Sequence, residues 1–202
     1  MNFKKDKYII IRNALDKKVT DFCYRYILHR RNTTNYLFNK QLISPLAKEY
    51  GFFGDEQVKH SFAIYGDVAM DTLLEGLLAK AEKFSNKKLI PTYSYCRVYE
   101  KGSILPRHKD REACAISATL NLGGDSWPIY VQKNRKKIKV DLSPGDMLLY
   151  SGCILYHWRE TFEGNMCGQV FLHYNENNDK NIKNIYDGRA CLGLPHFVKY
   201  YI

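Results

Sequence analysis

Paired cysteines are missing from this sequence. Its six cysteines, at 23, 96, 114, 153, 167 and 191, include no CxxC and no compact framework. A zinc ribbon or dithiol redox centre is therefore disfavoured, and reduced thiols are expected, several of them buried as small apolar residues. There is also no run of about 18 apolar residues, so no segment is expected to span a bilayer as a helix. Behind the charged Met1-Asn2-Phe3-Lys4-Lys5-Asp6-Lys7, the apolar run Tyr8 to Ile11 is too short for a signal peptide. A cytoplasmic setting without membrane partners is the expectation. No internal repeat, low-complexity stretch or linker divides the chain. Its 202 residues are expected to form one domain, 1–202, around a single core.

Acidic residues are few: 21 Asp and Glu stand against 31 Lys and Arg, a net charge of +10. Such a balance bears on encounter with anionic partners, not on fold. Its clearest cluster is Lys133, Arg135, Lys136, Lys137 and Lys139, between two strand-like runs. The pattern reads as a solvated hairpin tip whose charges guard exposed strands. A nucleic-acid patch is the competing reading, disfavoured because no aromatic residue interleaves the run.

What is present has two grammars. After the β-rich Tyr8 to Ile11, apolar or aromatic positions 19, 22, 23, 26 and 27 fit one helix face, and positions 70, 73, 74, 77, 78 and 81 fit a second helix over Asp67 to Phe84. Ser85-Asn86 closes that helix, while residues 31–66 show no decisive pattern. From Tyr93 onward the sequence turns to short aromatic and β-branched runs: 93–99, 113–122, 127–132, 138–142, 147–150 and 168–174. Ser143-Pro144-Gly145-Asp146 is a turn, since Pro presets φ and Gly accepts a positive one. Six or seven short strands argue for a β-sandwich or barrel, with helices about 13–86 on its outer face and a tail, 176–202, that wraps back.

The strongest chemical signal is His108-Lys109-Asp110. On an extended strand residues i and i+2 point the same way, so imidazole and carboxylate converge. A third ligand must come from elsewhere, and His157, beyond the turn and the strand it opens, supplies it. Two imidazoles and one carboxylate form the facial triad of non-haem Fe(II) oxygenases, with the opposite face of the metal open. His173 alternates with Gln169 and Phe171 on the last core run and is expected to face the cavity, as a cosubstrate or substrate contact or as a core histidine. Alternation sends Arg107 and Arg111 away from the metal, where they meet the cavity rim. His29, His60 and His196 have no partners at ligand spacing, and Trp127 and Trp158 read as packing anchors.

Tyr95 to Asp110, read as YxRxYxxGxxLxxHxD, and LSPGDMLLYSGCILYHWRE from Leu142 to Glu160 resemble the 2-oxoglutarate/Fe(II)-dependent dioxygenases, most closely their prolyl 4-hydroxylase-like branch. The resemblance covers about residues 90–175. It implies a mainly β fold with flanking helices: a double-stranded β-helix (jelly-roll, cupin-like) core over about 90–175, with two N-terminal support helices. It also implies Fe(II), with 2-oxoglutarate and O2 as cosubstrates and ascorbate as a supporting reductant. The reaction implied is decarboxylation of 2-oxoglutarate to succinate coupled to hydroxylation of a C–H bond. Protein or peptide side chains, prolyl especially, are the leading substrate class by this analogy, and a small molecule or a nucleic-acid base is the alternative.

The distal carboxylate of 2-oxoglutarate needs a cation or hydroxyls. Family members place an Arg or Lys where this chain has Met166, Cys167, Gly168 and Gln169. The substitutes are Arg159, favoured, and Arg97, with Tyr99 and Thr119 able to add hydroxyl bonds. Base-demethylating relatives need arginines late in the core, and the run 168–174 has none. A halogenase is disfavoured because Asp110 fills the position a halide would need. Two readings from other classes remain: a cupin-like metal-binding barrel without oxygenase activity, and a nucleic-acid-binding module using the basic hairpin 133–139.

Overall fold

The computed structural model describes residues 2–199. A short helix α1 (Phe3–Asp6) leads into β1 (Tyr8–Ile11), and α2 (Lys17–Asn39) follows. Asp16 caps α2 by accepting from the Lys18 N–H at 2.8 Å. The helix runs well into the stretch that the sequence left undecided, and its buried face is Thr20, Cys23, Ile27 and Thr34. Val19 and Phe22, expected on that face, are exposed. Close approach to the sheet selects the rotation. A Cβ at Gly123 would fall 2.9 Å from the Tyr24 ring and one at Gly168 2.7 Å from it, so both strands under α2 need glycine there.

Beyond α2 come β2 (Phe52–Phe53) and β3 (Ser61–Tyr65). The second expected helix is two: α3 (Val68–Gly76) and α4 (Leu78–Ser85), broken at Leu77, whose φ of −96° and ψ of 0° leave the helical range. Asp67 caps the first, and Asn86 ends the second in the left-handed conformation. Met70, Leu74 and Ala81 still form one continuous buried stripe, because the break costs no register on that face.

The barrel strands are β4 (Leu89–Glu100), β5 (Leu105–His108), β6 (Ile116–Gly124), β7 (Ile129–Lys133), β8 (Lys136–Val140), β9 (Met147–Tyr150), β10 (His157–Arg159) and β11 (Met166–Glu176). They form two antiparallel sheets, ordered β1-β9-β6-β11-β4-β3-β2 and β5-β10-β7-β8. The larger sheet packs its outer face on the helices through Ile27, Met70, Leu74, Val98, Leu120 and Val170. Its inner face meets the smaller sheet through Ile129, Val131, Val140, Leu148 and Tyr150. This is the double-stranded β-helix anticipated from the motifs, with the extra strands β1, β2 and β3 added at the sheet edges. No described helix is long and apolar enough to cross a membrane.

After β11 the chain returns to the larger sheet. Arg189 and Asp71, both with fully buried side chains, pair at 2.9 Å. The basic hairpin tip turns at Asn134 and Arg135, both at positive φ. Lys133 pairs with Asp6, Lys137 with Glu160 and Lys139 with Asp141, so most of its cations are met by acids. Among the described residues the cysteines are all free, four of the six buried.

Candidate metal centre

Strand pairing brings the two histidines together. β10 lies beside β5 with His157 directly opposite His108, and the two rings are 4.2 Å apart between centroids. β5 ends at His108, so Asp110 lies just beyond the strand. Its direction is set by its backbone N–H, which donates to the Gly152 carbonyl at 3.0 Å. Asp110 Oδ1 sits 3.6 Å from His108 Nε2 and 3.3 Å from His157 Nε2. One donor atom from each residue lies within 4.8 Å of the others.

The remaining ring nitrogens are occupied. His108 Nδ1 donates to the Pro106 carbonyl at 2.7 Å, and His157 Nδ1 to the Leu155 carbonyl at 3.1 Å. Each bond fixes the tautomer that presents the Nε2 lone pair to the centre. Two lone pairs and a carboxylate oxygen converging on one point repel one another unless a cation lies between them. Metal bonds of about 2.0–2.2 Å with angles near 90–110° place such donors about 3.0–3.5 Å apart, close to the spacing found. The residues therefore fit a divalent metal. Burial opposes the charge on Asp110, yet His108 and His157 hold its carboxyl well below the usual carboxylate range. Burial likewise opposes a charged His108, but Asp110 raises its pKa.

Sequence reasoning missed Ser117. Its hydroxyl donates to Asp110 Oδ2 at 2.7 Å and sits 3.0 Å from His173 Nδ1. With Oδ2 held there, Oδ1 alone faces the histidines. His173 thus faces inward as alternation requires, but as a support for Ser117; burial lowers its pKa to about 4, so it is neutral and its Nδ1–H donates. Gly152 was missed too. A Cβ there would fall 2.2 Å from Asp110 Oδ2 and 2.4 Å from the Cys114 carbonyl oxygen.

A cavity of about 370 Å³ opens on the triad. The inner face of β4 lines it with Tyr93, Tyr95, Arg97 and Tyr99. Arg97 donates through Nη2 to Asp55 at 2.5 Å and to the Tyr95 hydroxyl at 2.8 Å. Arg159 lies behind the cavity wall. It is 1% exposed, its Nη2 donates to Gln169 Oε1 at 3.2 Å, and its Nη1 donates to the Trp127 carbonyl. Thr119 is also behind the wall and donates to the same Gln169 oxygen at 3.2 Å. Arg111 lines the cavity at its rim, where the sequence placed it. Both its Nη atoms donate to Asp187 at 2.8 Å. Arg107 points outward onto the Tyr156 ring. His29 and His60 are exposed, and His196 lies against Tyr65.

No protein-family profile and no curated protein matches this sequence. Solved structures do, and they define the fold as that of the 2-oxoglutarate/Fe(II) oxygenases. The non-haem α-ketoglutarate-dependent epimerase SnoN of nogalamycin biosynthesis aligns with a TM-score of 0.64 at 14% identity, over 87% of this chain and 80% of that one. A Pseudomonas putida prolyl-4-hydroxylase aligns at 0.60 and 13% identity, over 87% of this chain and 96% of its own. HygX of Streptomyces hygroscopicus, solved with nickel and 2-oxoglutarate bound, aligns at 0.61 and 14%, over 87% and 85%.

Proposed function

We propose that this protein is a non-haem Fe(II) dioxygenase that couples decarboxylation of 2-oxoglutarate to hydroxylation of a C–H bond. The convergence of His108 Nε2, His157 Nε2 and Asp110 Oδ1 on one point, within this fold, carries the reading. Bound there, Fe(II) would offer its open face to a bidentate 2-oxo acid and to O2. The chain's own part is positional. Pro106 and Leu155 carbonyls hold the imidazoles, Ser117 and His173 hold the carboxylate, and Tyr99 and Tyr150 wall the cavity.

Arg159 is the proposed anchor for the distal carboxylate of 2-oxoglutarate. Of the three buried arginines, Arg97 pairs with Asp55 and Arg189 with Asp71, whereas Arg159 has no carboxylate partner among the described residues. A buried cation left unpaired is costly, and an incoming carboxylate relieves that cost. Its guanidinium also reaches Gln169, one of the positions where the resemblance places the cosubstrate cation. Thr119 and Tyr99 stand beside it as hydroxyl donors. An unpaired buried cation at this position weakens the reading as an inert cupin-like barrel. The ion pairs of the hairpin tip likewise leave little free charge for a nucleic-acid module. The substrate belongs to the class of peptide side chains, as for the prolyl hydroxylases, or of small molecules.

The test is turnover. With Fe(II), ascorbate and O2, the purified protein should convert 2-oxoglutarate to succinate slowly without a prime substrate. No binding of 2-oxoglutarate to the metal-loaded protein would overturn the reading. Arg159→Ala should weaken 2-oxoglutarate binding roughly 30- to 150-fold, from loss of about 2–3 kcal/mol of charge-assisted hydrogen bonding.

A further inference from the structure

Arg97 is a buried cation that lines the metal cavity itself, and the cosubstrate anchor proposed above leaves it without a task. It is 3% exposed and lines the cavity from the inner face of β4, its guanidinium bracketed by the rings of Tyr95 and Tyr99 at 5.1 and 5.6 Å. Only Nη2 is hydrogen-bonded; Nε and Nη1 are buried with no partner. A guanidinium carries five N–H donors, and leaving several unmet in a dry site is unfavourable.

Its one anionic partner is of an unusual kind. Asp55 belongs to the loop between β2 and β3, not to the barrel, and is itself a cavity-lining residue with a partly exposed side chain. One of its oxygens is committed to the loop, accepting from the Gln57 and Val58 N–H groups at 3.0 and 2.6 Å. The other alone reaches Arg97. A single carboxylate oxygen carried on a surface loop thus occupies a site able to take both oxygens of a carboxylate. The charge around it favours an anion. Arg111 at the rim is matched by Asp187, while Lys109 beside the metal ligands has no acidic partner among the described residues.

Resting on the oxygenase reading for the chemistry that follows capture, we infer that the substrate bears a carboxylate, and that Arg97 receives it in place of Asp55. Asp55 is then a resident stand-in anion that keeps the buried cation paired until substrate arrives. The cavity of about 370 Å³ is at the small end of ligand sites, about 300–1,000 Å³, and must also hold the cosubstrate. It suits an acid of amino-acid size, either free or as the C-terminal residue of a peptide.

The experiment is calorimetric titration of the Ni(II)-loaded protein saturated with 2-oxoglutarate. The probes are N-acetyl-L-amino acids against their primary amides, and pentapeptides with free against amidated C termini. The free acids should bind at least tenfold tighter than the amides, with the tighter of the two acid series identifying the source. Arg97→Gln should abolish that preference. Asp55→Asn, which keeps the oxygen that caps the loop but removes the charge, should strengthen acid binding several-fold. Melting temperatures of both variants report whether the fold is intact. Absence of any preference for the acid, or a preference that survives in Arg97→Gln, overturns the inference. So does a rise of more than tenfold in the 2-oxoglutarate Kd of Arg97→Gln, which would make Arg97 the cosubstrate anchor. Failure of the wild-type protein to bind 2-oxoglutarate at all is a different result, and removes the oxygenase reading itself.

Discussion

Gly152 has no chemistry of its own, yet the candidate metal centre depends on its missing side chain. A methyl group there would overlap Asp110 Oδ2 and the Cys114 carbonyl, neither of which can yield without moving the carboxylate. Gly152→Ala should therefore lower metal affinity by an order of magnitude or more while leaving a folded barrel, as metal titration and circular dichroism would show. Ser117→Ala removes the bond that holds the same oxygen. Loss of such an outer partner costs roughly 10- to 100-fold in metal affinity; unchanged affinity would deny Ser117 its positioning role. The candidate ligands themselves were legible because His and Asp at i and i+2 are chemically conspicuous. Ser117, Gly152 and Asp55 were not, since a serine, a glycine and a loop aspartate look ordinary until strands far apart in sequence are paired. Arg159 was legible as a candidate, but its lack of a carboxylate is a fact of packing alone.

At the scale of elements, the turn Ser143-Pro144-Gly145-Asp146 does more than reverse the chain before β9. Asp146 accepts from the Ser143 and Asn13 N–H groups at 2.9 and 3.0 Å and pairs with Arg12 at 2.6 Å, tying the end of β1 to the turn. Burial works against its charge, but these donors hold its carboxyl below the usual carboxylate range. A carboxyl with a depressed folded pKa stabilises the fold above its unfolded pKa, about 3.9, and loses that contribution as pH falls through the folded value. Asp146→Asn should cost about 1.5–3 kcal/mol at neutral pH in urea denaturation, and the difference from wild type should shrink below about pH 4. The turn and its strand were readable from Pro and Gly. The rotation of α2 was not, because the glycines that admit Tyr24 lie on strands β6 and β11. Nor was the break at Leu77, which leaves the apolar period intact.

Over the whole molecule, the segment after β11 is held by buried charge. Arg189 meets Asp71, and Asp71 also accepts from the Ser94 N–H and hydroxyl and the Gly193 N–H, all within 2.8 Å. Removing one member of a buried pair strands the other, at about 3–5 kcal/mol. Arg189→Ala should show a loss of that size in chemical denaturation; a cost under 1 kcal/mol would mean the segment is a passive appendage. The sequence promised only a tail that wraps back, since a long-range Arg–Asp pair has no local pattern. The same segment carries Asp187, which clasps Arg111, the residue directly after the candidate metal ligand Asp110, across a separation of 76 positions. Synthesis runs in one direction, and domains begin to order as they emerge. His108, Asp110 and His157 are all made before Asp187 exists. A chain on the ribosome thus passes through an interval in which its candidate metal ligands are complete and the Arg111–Asp187 pair beside them is not.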